Sequence, residues 1–246
     1  MEGNFYERLT GIFACPNIPI HIIGVGGVGS HLALLAVKYG VRKMHLWDFD
    51  EFGPHNVSNQ VFFPEKHLGM NKALAVKEVC ETFNPRVTLT AHPSRFTGIS
   101  KSDSREAIVF ICVDSMSARR SIIKSLKFSG VKTVIIETGM GVSSVRTCVF
   151  NGHNQRHFDA WLSNEYFPSN GEFRERAPCG TALTVGATCA AVASSALWLL
   201  VDVLRGATRA QTTRFEFSPV NLFTGERMGT QTGETLDWGC GPVEAV

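Results

Sequence analysis

Short apolar runs alternate along this chain with stretches whose apolar positions recur at helical spacing. Runs near 19–24, 44–48, 87–92, 107–113 and 132–137 predict strands. The intervening segments 28–40, 70–83 and 115–129 predict helices, and a further helix is expected at 2–13, ahead of the first strand. Such alternation builds a mostly parallel sheet, with right-handed crossovers and helices on both faces. The fold class is therefore α/β.

The pattern changes in the C-terminal half. Residues 140–150 alternate apolar with polar positions and predict a strand that turns antiparallel. A polar stretch punctuated by Gly and Pro then runs from 151 to 178 without strong periodicity, a length usually tied to function or mobility. The 25 uncharged residues from 177 to 201 follow, and predict a helix over 181–204. They are long enough to span a bilayer, but their Gly, Ala, Ser and Thr suit close packing, and a buried core helix is the expectation. Residues 214–217 and 222–223 read as strands covering the far end of the sheet.

Composition narrows the classes. With 246 residues, 44% hydrophobic and 19% charged, the chain can bury a full core as one domain. A formal net charge of +2 and the lack of a basic run give no electrostatic case for nucleic acid, and no membrane partner is expected. The cysteines at 15, 80, 112, 148, 179, 189 and 240 are odd in number and scattered, and no signal-peptide zones precede them, which points to a reducing cytoplasm. No two have C-x-x-C spacing, so no structural zinc is expected.

The chemistry starts at Ile22-Ile23-Gly24-Val25-Gly26-Gly27-Val28-Gly29, an apolar strand entering a glycine-rich turn and then a helix. Gly24, Gly26, Gly27 and Gly29 let the backbone turn tightly and approach phosphates, while the first N–H groups of the helix face the anion. Asp48 follows Gly29 by 19 residues, where a Rossmann-like unit places its ribose-binding carboxylate. Taken alone, these features leave NAD, FAD and ATP open.

Four further motifs go beyond a dehydrogenase: Asp48-Phe49-Asp50, Asn56-Val57-Ser58-Asn59-Gln60, Gly69-Met70-Asn71-Lys72, and Cys112-Val113-Asp114-Ser115-Met116-Ser117-Ala118-Arg119. In order and spacing they resemble the adenylating domain of the ThiF, MoeB and ubiquitin-activating family, from Gly24 to Arg119 and more loosely to the helix after Cys179. The resemblance implies a Rossmann-like, mostly parallel sheet with an antiparallel C-terminal extension. It also implies a nucleotide-binding half over 1–139 and a partner-binding half over 140–246, with 151–178 as a crossover loop.

The activity so implied is adenylation of the C-terminal glycine of a ubiquitin-like or sulfur-carrier protein by ATP and Mg2+. Asp114 would hold magnesium and the phosphates; as a residue at the start of 115–129 it would equally suit a helix cap. Lys72 would reach phosphate oxygens, Asp48 and Asp50 the ribose, and Asn56 and Gln60 the triphosphate. Asn59 departs from the family, most of whose members place a phosphate-binding arginine there; the loss removes a contact worth about 1.5–3 kcal/mol. Arg8 resembles an N-terminal arginine that relatives reach across a homodimer interface into the neighbour's ATP site. Cys179, before a helix whose dipole favours its thiolate, resembles the family's reactive cysteine, while Cys189 reads as core. A conjugating enzyme or sulfur donor would then be a second partner. Other readings are a tRNA threonylcarbamoyladenosine dehydratase, an NAD-dependent oxidoreductase, and a non-catalytic scaffold subunit favoured by Asn59.

Overall fold

Seven strands form an open α/β sheet in a computed structural model that describes residues 6–9, 18–102, 104–140, 144–152, 154–163, 186–204 and 211–216. They are β1 (Ile20–Ile23), β2 (Lys43–Trp47), β3 (Thr88–His92), β4 (Glu106–Ile111), β5 (Lys132–Met140), β6 (Ser144–Asn151) and β7 (Gln211–Glu216). Their order is β3-β2-β1-β4-β5-β6-β7, in one sheet. The first five pair in parallel, and β6 and β7 turn antiparallel. Central β4 is apolar on both sides from Ala107 to Ile111, and β1 is buried on both sides, because helices cover both faces.

One face is packed by α1 (Gly27–Lys38), α3 (Lys72–Phe83) and α6 (Gly186–Leu204), which set Leu32, Ala36, Val76, Ala196 and Leu200 against Ile20, Ile22, Leu46 and Phe110. The other is packed by α4 (Met116–Ser129) and α5 (Gln155–Ser163), with Ile123, Leu126, Phe158 and Trp161 against Ala107, Val109 and Ile135. From Gly186 on, the uncharged segment is thus a core helix, with Cys189, Ala193, Leu197 and Leu200 buried. Among the described residues no helix is long and apolar enough to cross a membrane.

Two helices depart from the sequence reading. The short α2 (Pro64–His67) starts at a proline, and α5 forms inside the polar stretch expected to lack periodicity. Asn154 caps α5 by accepting from the Arg156 and His157 N–H groups, and buried His157, Phe158 and Trp161 fix its inner face. The helix is only nine residues long and lies between polar flanks, so it does not stand out from the stretch around it. Of the helix expected over 2–13, the described part is a single 3-10 turn, Glu7–Leu9; the expected strand at 222–223 lies outside the described residues.

On the α4 side of the sheet, His21, His45, Trp47 and His92 form a stack across β1–β3, with His21 paired to His45 and Trp47 to His92 in register. His21 is 5% exposed and its Nδ1 accepts from Trp47 Nε1 at 3.2 Å, an arrangement that needs the neutral ring. Burial, then the nearby His45 and His92, lowers the His21 pKa to about 3. The folded pKa lies below the unfolded 6.5, so this contribution is complete above pH 6.5 and is lost as pH falls toward 3. The melting temperature is expected to drop on acidification below pH 6.5, with His21 accounting for up to ~1.4 kcal/mol per pH unit. His21→Asn keeps an acceptor for Trp47 and should flatten that slope; an unchanged slope in the variant would refute the assignment.

Candidate functional site

The strand order reverses beside β1, whose sheet neighbours are β2 and β4, and ligands of open α/β sheets bind in the crevice at that carboxyl edge. Gly24 leaves β1 with φ +85°, donates its N–H to the Trp47 carbonyl at 2.8 Å, and passes so close to Cys112 that a Cβ would lie 3.0 Å from its carbonyl group. At Gly29 a Cβ would stand 1.9 Å from the Gly24 oxygen. The turn therefore closes only with glycine at both ends. Gly26 occupies the N-cap of α1 without a side-chain cap, leaving the first N–H groups to a ligand or solvent. Gly27 faces α6, its Cβ position 3.0 Å from the Cys189 sulfur.

An acidic edge borders this turn. Asp48 is 9% exposed and straps it: Oδ2 accepts from the Val25 N–H at 2.8 Å and Oδ1 from the Asp50 N–H at 2.9 Å. Burial raises the Asp48 pKa, opposed by those two N–H groups and by Lys72. Lys72 opens α3 with its ammonium 3.3 Å from Asp50 Oδ2, a side chain 11% exposed against a carboxylate 52% exposed. Asn71 ties these pieces together. Its Nδ2 donates to the Asp48 and Asp50 carbonyls at 3.0 and 3.1 Å, and its Oδ1 caps α3 by accepting from the Ala73 and Leu74 N–H groups. The sequence reading gave Asn71 no role, although an Asn just before an apolar-periodic stretch is a helix-start signal.

The amide segment overhangs the glycines. Asn56 is buried, and its Oδ1 accepts from the Gly53 N–H at 3.1 Å, closing the 3-10 turn Pro54–Asn56. The Ser58 carbonyl accepts from the Gly186 N–H at 3.0 Å, joining the segment to the start of α6. Asn59 Nδ2 lies 3.8 Å from the Cβ position of Gly27, and Gln60 Nε2 lies 3.9 Å from that of Gly26. Asn59 Oδ1 and Gln60 Oε1 are buried without a hydrogen-bond partner among the described residues. The two amide nitrogens beside an uncapped glycine turn could donate to an anionic ligand there.

Asp114 lies just past β4, at the same carboxyl edge, and is exposed. It does not cap α4. Ser115 does, its Oγ accepting from the Ala118 N–H at 3.3 Å, because the hydroxyl stands at the position whose backbone is extended while the helix begins after it. The cap role anticipated for Asp114 is thus replaced, and its carboxylate is not committed to the helix. Arg119, part of the motif but assigned no role, is buried against Glu137.

Arg8 is exposed, and the preceding Tyr6 docks at the C-terminal end of α1: its hydroxyl donates to the Val37 carbonyl at 3.2 Å and its ring lies against Gly40. Within one chain, then, Arg8 sits at the end of α1 opposite the glycine turn. Cys179 lies outside the described residues. Among those described, Cys189 is buried in the core, and burial pushes the thiols of Cys112 and Cys189 up to about 11 and that of Cys80 up to about 12, which makes them inert at neutral pH. No group of three or more His, Cys, Asp or Glu side chains among the described residues is arranged to hold a metal ion.

A sheet reversing at β1, a glycine turn opening onto an uncapped helix and an acidic edge beside it define a Rossmann-like nucleotide-binding architecture. The chain belongs to the ThiF family, whose profile it matches over residues 14–234. It is 29% identical over 164 residues to ubiquitin-like modifier-activating enzyme 5 of Branchiostoma floridae, a match covering 61% of this chain and 37% of that one. It is 32% identical over 103 residues to the sulfur carrier protein ThiS adenylyltransferase of Escherichia coli K12, covering 41% of each. The chain thus spans well under half the length of these relatives. The crystal structure of E. coli MccB with ATP has the same fold, with a TM-score of 0.59 at 17% identity over 82% of this chain and 63% of that one.

Proposed function

We propose that this chain uses ATP to adenylate the C-terminal glycine of a ubiquitin-like or sulfur-carrier protein. The observation that carries the reading is a glycine turn that leaves its helix N-terminus uncapped, with the amide nitrogens of Asn59 and Gln60 beside it as further donors for an anion. The names of the two sequence relatives supply the substrate class.

The residues present fit a nucleoside triphosphate. Gly24, Gly26, Gly27 and Gly29 would let the phosphates approach the backbone, with Lys72 as the cation; Asp48 and Asp50 would accept from the ribose hydroxyls. Asn56, Asn59 and Gln60 would frame the triphosphate, and Asp114 would hold the Mg2+ that accompanies ATP and offsets its charge. The carrier carboxylate attacks the α-phosphorus; an oxygen–phosphorus bond forms, the bond to the β-phosphate bridge breaks, and pyrophosphate leaves with the electron pair. Cys179 would then attack the acyl carbonyl as thiolate, releasing AMP and leaving a thioester for a conjugating enzyme or sulfur donor. In this reading residues 140–246 receive the carrier, no zinc is required, and the protein works in the cytoplasm as a homodimer whose Arg8 serves the neighbour's site.

Calorimetry with MgATP and NAD in parallel, followed by ATP–pyrophosphate exchange with a glycine-ended carrier protein, tests the proposal. MgATP binding and carrier-dependent exchange are expected. NAD binding without ATP binding would overturn it, and ATP binding without exchange across a panel of such carriers would favour the scaffold role that Asn59 suggests.

A further inference from the structure

β4 ends at its last pair with β5, Ile111 with Glu137, and the chain continues through Cys112 and Val113 to Asp114. Beyond that pair the strand ladder no longer orients the backbone. Arg119, 4% exposed on α4, takes over: one guanidinium nitrogen donates to Glu137 Oε1 at 2.6 Å and to the Thr138 carbonyl at 2.5 Å, and the other donates to the Val113 carbonyl. Glu137 is fully buried, and its second oxygen accepts from the Cys148 thiol at 3.0 Å, so both carboxylate oxygens have partners. The Thr138 hydroxyl adds a bond back to the Ile111 carbonyl at 3.3 Å.

A buried ion pair is a poor device for stability alone, since well-packed apolar residues often serve as well or better. What an apolar replacement could not do is hold a carbonyl of one strand end to two acceptors of the next. The planar fork does so, and a single ammonium has no matching geometry. Ser115 leaves Asp114 free of the cap, while the adjoining wall of the glycine turn is held independently by the Cys112 N–H on the Ile23 carbonyl at 2.8 Å. Arg119 therefore ties the backbone that presents Asp114, at the Val113 carbonyl, to the end of β5, at the Thr138 carbonyl.

We propose that Arg119 is a positioning residue that substitutes for the missing strand ladder at Val113 and so aims the Asp114 carboxylate at the metal of bound MgATP. This rests on the nucleotide reading above, and it separates the Mg2+-dependent part of ATP binding from the rest.

The test is calorimetric titration of ATP with Mg2+ and with EDTA. Wild type is expected to bind MgATP more tightly than metal-free ATP. R119K keeps a charge beside Glu137 but cannot span to Val113; it should bind metal-free ATP within twofold of wild type and MgATP about tenfold more weakly. In a D114N background R119K should cause no further loss, because the group it aims is already gone. Should R119K not fold, R119Q/E137Q removes both charges together and carries the same expectations. A folded variant with undiminished preference for MgATP, or with both affinities reduced equally, would overturn the positioning role. Wild type that binds neither form of ATP would instead overturn the nucleotide reading itself.

Discussion

Gly29→Ala is expected to cost about 1–3 kcal/mol of stability, the range for forcing an extra carbon into a packed site, and to weaken ATP binding at least about tenfold. The added Cβ would stand 1.9 Å from the Gly24 oxygen, a backbone atom with no flexible end to yield. Either the helix must slide away from β1 or Gly24 must leave its φ of +85°, and in both cases the turn that would hold the phosphates opens. In an ordinary helix interior the same change would stabilise, because alanine is the better helix former. A thermal melt and an ATP titration together decide the matter. An alanine variant with wild-type melting temperature and affinity would show that the turn is not closed in solution as it is here.

Lys72→Ala is expected to separate binding from folding. Its ion pair lies 3.3 Å from a carboxylate that is 52% exposed, so its loss should change stability by less than about 1 kcal/mol. A charge-assisted contact to phosphate is worth about 1.5–3 kcal/mol, which predicts a ten- to hundredfold weaker affinity for MgATP. Asn71 keeps the start of α3 in place, since its cap and its bonds to the Asp48 and Asp50 carbonyls do not involve the lysine side chain. Equal affinity in wild type and variant would return Lys72 to a structural partner of Asp50. A melting temperature lowered by many degrees would say the same from the other side.

Strand and helix order was legible because parallel strands buried on both faces must be apolar throughout and the helices covering them must be apolar on one side. Ile20, Ile22 and Ile23 of β1, Ala107 to Ile111 of β4 and Val134 to Ile136 of β5 meet that demand, and α1, α3 and α4 supply the apolar faces. The glycine turn was legible for a related reason: close backbone approach admits no other residue, so its chemistry is written in consecutive positions. Only the fold could show that Asp48 straps the turn through Val25, that Asn71 knits the acidic edge to α3, or that Ser115 displaces Asp114 from the cap. α5 escaped because it is a nine-residue helix set between polar flanks. Arg119 was visible in a motif but mute, because its meaning lies in Val113, Glu137 and Thr138, groups that strand pairing and helix packing bring together from separate stretches of chain. Local periodicity and steric exclusion act between neighbours in sequence and can be read there, whereas hydrogen-bond partners are assigned by which strand lies beside which, and that is settled only when the sheet has formed.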